Sequence, residues 1–213
     1  MRAGGKKMNN NTEDRLRRIT QTALLMAVEM VMYAIGLGRV PVGPLYMSFL
    51  TLPIAVGAMT IGPGAGAVLG LVFGALSFKD ALTGGSYMTS NLLLASPVHT
   101  FILCVVMRVL MGYCCGLIFK ACDRIDKRNT WCWFAGAISA PLLNTVFFMG
   151  YLCLAFFKTE YVQNMAASRG AAGPLDFIII LVGVQGLVEA VVCCAAGGAV
   201  SKAVARFLGR KIG

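Results

Sequence analysis

The stretch from Tyr46 to Phe78, YMSFLTLPIAVGAMTIGPGAGAVLGLVFGALSF, decides the fold. It contains no charged side chain, and the sequence Gly62-Pro63-Gly64 divides it. The two apolar runs are roughly 16 residues each, slightly shorter than the ~20 residues of an untilted membrane span. Proline fixes φ, and glycine accepts the left-handed geometry of a chain reversal. The stretch therefore predicts a transmembrane hairpin, and the small residues that recur along it predict close packing of its two arms.

The composition of the whole chain extends this interpretation beyond the hairpin. Of the 213 residues, 58% are hydrophobic and 13% are charged, and the mean hydropathy is +0.76. A soluble domain carries about 25% charged residues. The formal net charge of +10 does not indicate nucleic-acid binding, because Lys and Arg lie between apolar runs instead of in one patch. The composition therefore predicts an all-α integral membrane protein.

Six apolar segments predict a bundle of six transmembrane helices. They form one domain at residues 19–206, between a basic, disordered tail at 1–18 and a short tail at 207–213. Polar external loops are expected at residues 83–91 and 158–173. The spans are predicted at 19–37, in the two hairpin arms, from 92 or 97 to 119, at 131–157 and at 174–205.

The distribution of Lys and Arg predicts the orientation of this bundle. The N-terminal tail, the loop at 120–128 and the C-terminal end from Lys202 onward contain fourteen of the nineteen, the other loops contain four, and Arg108 lies within a span. Because cytoplasmic segments carry the excess of positive charge, both termini are predicted to be cytoplasmic. The expected location is a bacterial plasma membrane, with the Gly62-Pro63 turn on the cytoplasmic side.

Polar side chains within the spans are the candidate binding residues. An unpaired charge at membrane depth is costly, so Arg108 is predicted to pair with Glu189, and Glu29 lies at a similar depth. Such a pair is equally expected if it only holds two helices together, and each amide is equally expected in an interhelical hydrogen bond. The residues predicted to line an outward-facing polar cavity are Tyr87, Asn91, His99, Arg108, Asn144, Tyr151, Gln185 and Glu189.

The sequence lacks the motifs of several chemical functions. It has no Gly-x-Ser-x-Gly, no His-Glu-x-x-His and no Gly-x-x-x-x-Gly-Lys-Ser/Thr motif. The eight cysteines form no Cys-x-x-Cys pair, and most lie in apolar runs, where free cysteines serve as small packing residues. We therefore predict neither catalysis nor a bound cofactor or metal. Any uphill transport must take its energy from an ion or from a partner.

Five short motifs occur in an order that resembles one family of membrane proteins. They are the pair Ala23 and Ala27 in the first span, LPIAVGAMTIGPGAGAVLGLVFGALSF at 52–78, MRVLMGYCCGLIF at 107–119, LLNTV at 142–146 and GLVEAVV at 186–192. With this order, residues 19–206 resemble the substrate-binding S component of energy-coupling factor (ECF) vitamin importers. The chain looks most like the pantothenate branch, and the riboflavin, folate and thiamine branches share the fold.

The resemblance implies a six-helix bundle that captures a water-soluble vitamin from outside. It also implies docking on a membrane coupling subunit driven by two cytoplasmic ATPases, followed by toppling and inward release. Ala23 and Ala27 would face the coupling subunit. The site would lie in the outer half of the membrane, built from spans four to six and the external loops. Glu29 does not belong to the motifs that carry this resemblance.

Two other functions stay open from the sequence. The first is a stand-alone ion-coupled secondary transporter that uses Glu29, Arg108 and Glu189 as its relay. Inverted repeats would favour it, and none is evident between the two halves of the chain. The second is a structural or assembly protein of the membrane, which predicts no ligand affinity in the isolated chain.

Overall fold

The computed structural model describes residues 3–37, 40–42, 45–126, 131–171 and 173–207. Side chains are described in these ranges except at 3–11, 40–47, 181–182, 184–185 and 205–207. Arg39, the end of the predicted cytoplasmic loop at 127–128 and residues 208–213 of the predicted C-terminal tail therefore lie outside the described part.

The first helix, α1, joins the predicted tail and the predicted first span in one element, Ala3–Ala34. Residues 3–18, expected to be disordered, are helical. The helix ends earlier than predicted because Gly36 adopts a left-handed conformation with φ of 87°. There the amides of Gly36 and Leu37 bond back to the carbonyls of Tyr33 and Met32, at 3.1 and 2.9 Å. This is the pattern in which a glycine closes the last turn of a helix.

A short β-hairpin and a short helix replace the first arm of the predicted transmembrane hairpin. Strands β1 (Val40–Val42) and β2 (Leu45–Met47) pair antiparallel, with Val40 opposite Met47. Helix α2 (Thr51–Thr60) follows, and eight of its ten residues are buried. At 1.5 Å per residue it is about 15 Å long, half the thickness of the hydrocarbon core. The prediction of a span beginning at Tyr46 was therefore wrong, because this end of the stretch is strand and turn.

The second arm is the helix α3 (Pro63–Thr83), which runs one turn beyond its predicted end. The turn before it lies where the sequence predicted it. Gly62 has a φ of 134°, which a residue with a side chain rarely adopts, and Pro63 occupies the first turn of the helix.

Most of the residues described after α3 are helical, including parts of both predicted external loops. Helix α4 is Tyr87–Ala95, and α5 comprises Pro97–Phe101, a π-helical segment Ile102–Val106 and Met107–Ile125. Helix α6 is Trp131–Phe156 and α7 is Glu160–Ala167. Helix α8 comprises Pro174–Val192, a second π-helical segment Cys193–Gly197 and Gly198–Phe207. The break between α4 and α5 falls at Ser96, which is extended because the ring of Pro97 disfavours a helical residue before it.

Among the described residues, four helices are long and apolar enough to cross a membrane. They are Pro63–Thr83, Pro97–Ile125, Trp131–Phe156 and Gly186–Val204. Helix α2 is too short, and polar residues such as Gln21 and Glu29 lower the hydropathy of α1. The chain is therefore a predominantly helical, multi-pass membrane protein. The count of six spans and the side of the termini stay predictions.

Helices α3 and α5 approach closely because α3 presents a row of glycines. A Cβ at Gly66, Gly70 or Gly74 would collide with the backbone of α5 at Gly112, Arg108 and Cys104, respectively. The small residues of the predicted hairpin thus mainly allow contact with α5, although Gly66 also contacts Ala58 of α2. This contact fixes the backbone of Arg108 against the middle of α3.

Two clusters of buried hydrophobic residues form the core. The first joins α2, α3, α5 and α6 and includes Phe73 and Trp133. The second joins α4 through α8 and includes Leu103 and Phe148. Phe73 and Phe148 both contact the side chain of Arg108, which therefore lies between the two clusters.

Candidate functional site

A cavity of about 580 Å³ lies among the helices and is lined by α1 and by α3 through α8, together with Ser48 and Leu50 in the turn before α2. Along α3 its wall extends from Phe73 near the middle of the helix to Asp80 near the end. Its polar and aromatic lining residues include Tyr33, Ser48, Phe73, Ser77, Asp80, Ser86, Tyr87, Thr89, Arg108, Asn144, Thr145, Phe148, Tyr161, Asn164, Ser168, Arg169 and Glu189. The volume is in the range of ordinary small-molecule sites.

Arg108 is positioned by the helix that precedes it. The π-helical segment Ile102–Val106 ends just before Arg108, and wide turns of this kind often occur at functional sites. Nη1 of the guanidinium donates to the carbonyl oxygens of Cys104 and Leu103, at 3.0 and 3.5 Å. The rings of Phe73 and Phe148 pack against the same group, with their centres 4.3 and 4.8 Å from Cζ. The cation is thereby held at the cavity wall and is only 7% exposed.

Glu189 lies on α8 and is held by a residue of the half-span α2. The hydroxyl of Thr51 donates to Oε1 of Glu189 at 3.0 Å, and lies 3.4 Å from Sγ of Cys193. Cys193 begins the second π-helical segment. Arg108 and Glu189 thus both lie beside a widened turn, and Glu189 is 6% exposed.

Asp80 is a second carboxylate of the cavity, and it lies two residues beyond the uncharged stretch that ends at Phe78. The phenol of Tyr33 at the end of α1 donates a hydrogen bond to its Oδ1. The ammonium group of Lys79 lies 5.5 Å from the centre of the same Tyr33 ring. In the sequence, the feature that could have indicated Asp80 is its position just after a long apolar run. The distance in sequence to Tyr33, 47 residues, hid the partner.

An aromatic pair and a second arginine line the cavity on α4 and around α7. The rings of Tyr87 and Tyr161 meet edge to face, with their centres 6.1 Å apart. Burial, with a further contribution from Tyr87, raises the pKa of Tyr161 above its ordinary value, while Arg169 acts in the opposite direction. The phenol is therefore neutral and able to donate a hydrogen bond at pH 7.

The structure brings four of the eight predicted site residues together. Tyr87, Arg108, Asn144 and Glu189 line the cavity. Three others, Asn91, His99 and Tyr151, are not part of its wall in the described part of the chain. Asn91 Nδ2 donates to the carbonyl of Tyr87 at 2.8 Å, and Nδ1 of His99 lies 2.8 Å from the hydroxyl of Tyr151. The side chain of Gln185 is outside the described part.

The predicted ion pair between Arg108 and Glu189 is not formed. Within the described part of the chain, no salt bridge of 4.0 Å or less joins them; Glu189 takes its hydrogen bond from Thr51, and Arg108 gives both of its own to backbone carbonyls. Hydropathy does not give the distance between two helices, so equal depth in two spans did not establish contact. Glu29 lies apart from both, completely buried, and no described residue bonds to its carboxylate oxygens.

A second groove, of about 550 Å³, lies at the other end of α3. It is lined by Arg18, Ile19, Thr22, Ala23 and Met26 of α1, by residues 61–65 and Val68, and by Lys120 of α5. Because Pro63 lines this groove and Asp80 lines the cavity, the two are separated by about 25 Å along α3. Ala23 and Ala27 are both exposed on α1.

The described residues contain no cluster of three His, Cys, Asp or Glu side chains suited to a metal ion. The cavity instead offers hydrogen-bond donors, acceptors and aromatic surface. Its chemistry is that of binding and orienting a polar small molecule.

Apolar helices of spanning length around a polar cavity define a multi-pass membrane protein with a small-molecule site. The chain belongs to the family of ECF transporter substrate-specific components, whose model matches residues 17–196. The resemblance in the sequence motifs is thereby confirmed at the level of the family. Members are substrate-binding subunits of transporters, not enzymes, and work with a membrane coupling subunit and ATPases. No curated protein matches the chain.

Proposed function

We propose that this protein captures a water-soluble vitamin, pantothenate before riboflavin, folate or thiamine, and delivers it through an ATP-driven ECF importer of the bacterial plasma membrane. The observation that carries the proposal is the polar cavity between the helices. Its wall contains buried charged groups, Arg108 and Glu189, which are costly in a membrane protein unless they serve a ligand or a partner.

The position of the cavity supports capture from outside. The groove at the other end of α3 contains Arg18 and Lys120, and basic residues favour the cytoplasmic side. With that orientation, the cavity opens in the outer half of the membrane. Helices α4 and α7 lie where external loops were predicted and supply Tyr87 and Tyr161 to its wall.

The groove beside Ala23 supports docking on a coupling subunit. Ala23 and Ala27 are one turn apart on an exposed face of α1, and small residues allow the close approach of another transmembrane helix. Because both alanines are exposed, packing inside the bundle accounts for them less well than contact with a partner does. ATP hydrolysis then belongs to the partner module, since the chain carries no phosphate-binding loop.

The relay of a stand-alone ion-coupled transporter is less well supported. Arg108 and Glu189 share the cavity, but Glu29 is not part of its wall. Uptake of a vitamin by proteoliposomes that contain this chain alone, driven by a proton or sodium gradient, would favour that alternative.

Calorimetric titration of the detergent-purified chain tests the proposal directly. Pantothenate, riboflavin, folate and thiamine are titrated separately without ATP, and one of them is expected to bind. The same ligand should raise the melting temperature, because saturation at a hundredfold excess over Kd stabilises the folded protein by about 2.7 kcal/mol. If none of the four binds, the vitamin assignment is refuted.

A further inference from the structure

The guanidinium of Arg108 borders the cavity with most of its hydrogen-bonding capacity unused. The group has five N–H donors. Both of its hydrogen bonds to the protein use Nη1, and Nε has no acceptor among the described residues. The side chain is more than nine-tenths buried, so its remaining donors are largely removed from bulk water.

The neighbouring carboxylates do not form an ion pair with Arg108. Glu189 accepts a hydrogen bond from Thr51 and Asp80 accepts one from Tyr33, and neither forms a salt bridge with Arg108 in the described part of the chain. The rings of Phe73 and Phe148 give the cation a partial electrostatic partner and keep solvent away. An acceptor that carries negative charge is the group still missing from this environment.

Resting on the proposed function, we infer that the ligand carries a carboxylate that binds Arg108 beside Phe73 and Phe148. A carboxylate matches the planar fork of donors on a guanidinium better than a single neutral oxygen does. The rest of the ligand presents hydroxyl or amide N–H donors, because the carboxyl oxygens of Asp80 and Glu189 in the cavity wall can accept hydrogen bonds. The substrate class is therefore a small monocarboxylic acid that also bears hydrogen-bond donors, which excludes a cationic ligand and a neutral one.

Matched pairs of ligands test this inference on the detergent-purified full chain. Each pair differs in one group, namely pantothenate with pantothenol, biotin with its carboxamide, and nicotinate with nicotinamide. The acid of the pair that binds is expected to do so roughly 10- to 150-fold more tightly than its neutral partner, the equivalent of a charged hydrogen bond. This comparison uses the unaltered protein and needs no variant to fold.

Substitutions then locate the recognition of the charge. Arg108→Gln should reduce the preference for the acid to within about threefold, and Arg108→Lys, which keeps the charge without the fork, should retain part of it. The matched control is Arg124→Gln, the same change in the last turn of α5, which should keep the full preference. Arg169→Gln should also keep a preference for the acid, because the carboxylate is inferred to bind at Arg108 and not at this second arginine of the cavity wall.

Each outcome has a defined meaning. If a neutral partner binds as tightly as its acid, or if the bound vitamin is thiamine, riboflavin or the dicarboxylic folate, the inference is overturned and the proposed function stands. If Arg169→Gln abolishes the preference while Arg108→Gln preserves it, the carboxylate binds elsewhere and the inference is overturned. If no vitamin binds at all, the proposed function fails and takes the inference with it.

Discussion

The hydroxyl of Thr51 donates a hydrogen bond to the carboxylate of Glu189 at 3.0 Å, although 138 residues separate them in sequence. The bond joins the half-span α2 to α8 at the wall of the cavity. Thr51 is fully buried and Glu189 nearly so. A short helix that cannot cross the membrane therefore holds one of the charged groups of the candidate site.

Replacing Thr51 by Val should destabilise the protein without changing its shape at this position. The carboxylate of Glu189 would lose its donor inside the bundle, at a cost of about 1–3 kcal/mol. Thr51→Ser keeps the hydroxyl and is the matched control. Thermal unfolding in detergent measures both variants, and equal melting temperatures would show that the hydrogen bond contributes nothing.

A methyl group at Gly112 should disrupt the contact between α3 and α5. A Cβ there would lie 2.6 Å from the carbonyl carbon of Gly66, which is backbone and cannot move aside. We expect Gly112→Ala to lower stability by about 1–3 kcal/mol. At Gly150, in the helix α6, a Cβ would meet nothing within 4 Å, so Gly150→Ala should be neutral or slightly stabilising. A Gly112→Ala protein as stable as Gly150→Ala would refute the close packing of these two helices.

Asn144 and Tyr151 should differ in their effect on ligand affinity. Asn144 lines the cavity, whereas the hydroxyl of Tyr151 bonds to His99 outside its wall. Asn144→Leu is expected to weaken vitamin binding by roughly 2- to 12-fold, the value of one hydrogen bond. Tyr151→Phe and His99→Phe should leave the dissociation constant within about twofold. Calorimetric titration gives all three values, and a loss of affinity in Tyr151→Phe equal to that in Asn144→Leu would contradict the assignment.

A bulky residue at Ala27 should block docking while leaving the cavity intact. Tryptophan at this exposed position prevents the close approach of a helix from the coupling subunit. The expected result for Ala27→Trp is loss of ATP-driven uptake and of co-purification with the coupling subunit, with vitamin affinity unchanged. Leu24→Trp, at another exposed position on α1 about 60° from Ala27 around the helix, is the control. Equal loss of ligand binding and association in Ala27→Trp would place this face inside the bundle.

Properties that depend on local composition could be predicted from the sequence. The long uncharged runs require a membrane, since no soluble core would bury them all, and the Gly62-Pro63 turn lies where a left-handed residue followed by a proline must end a helix. The same reasoning selected Arg108 and Glu189, because a charge among apolar residues is conspicuous wherever its partners lie.

Contacts between distant segments were decided only by the tertiary structure. Hydropathy gives the depth of a residue in a span but not the direction in which its helix faces, so the expected bond between Arg108 and Glu189 was wrong, and Thr51 was missed as the partner of Glu189. Asp80 and Arg169 reach the cavity through the packing of α1, α3 and α7, which no local pattern records. The sequence by itself determined that this chain is a helical membrane protein with buried charges. The close approach of α3 and α5 over their glycines determined where one of those charges lies, because the shape of a cavity follows from how side chains of different helices fit together.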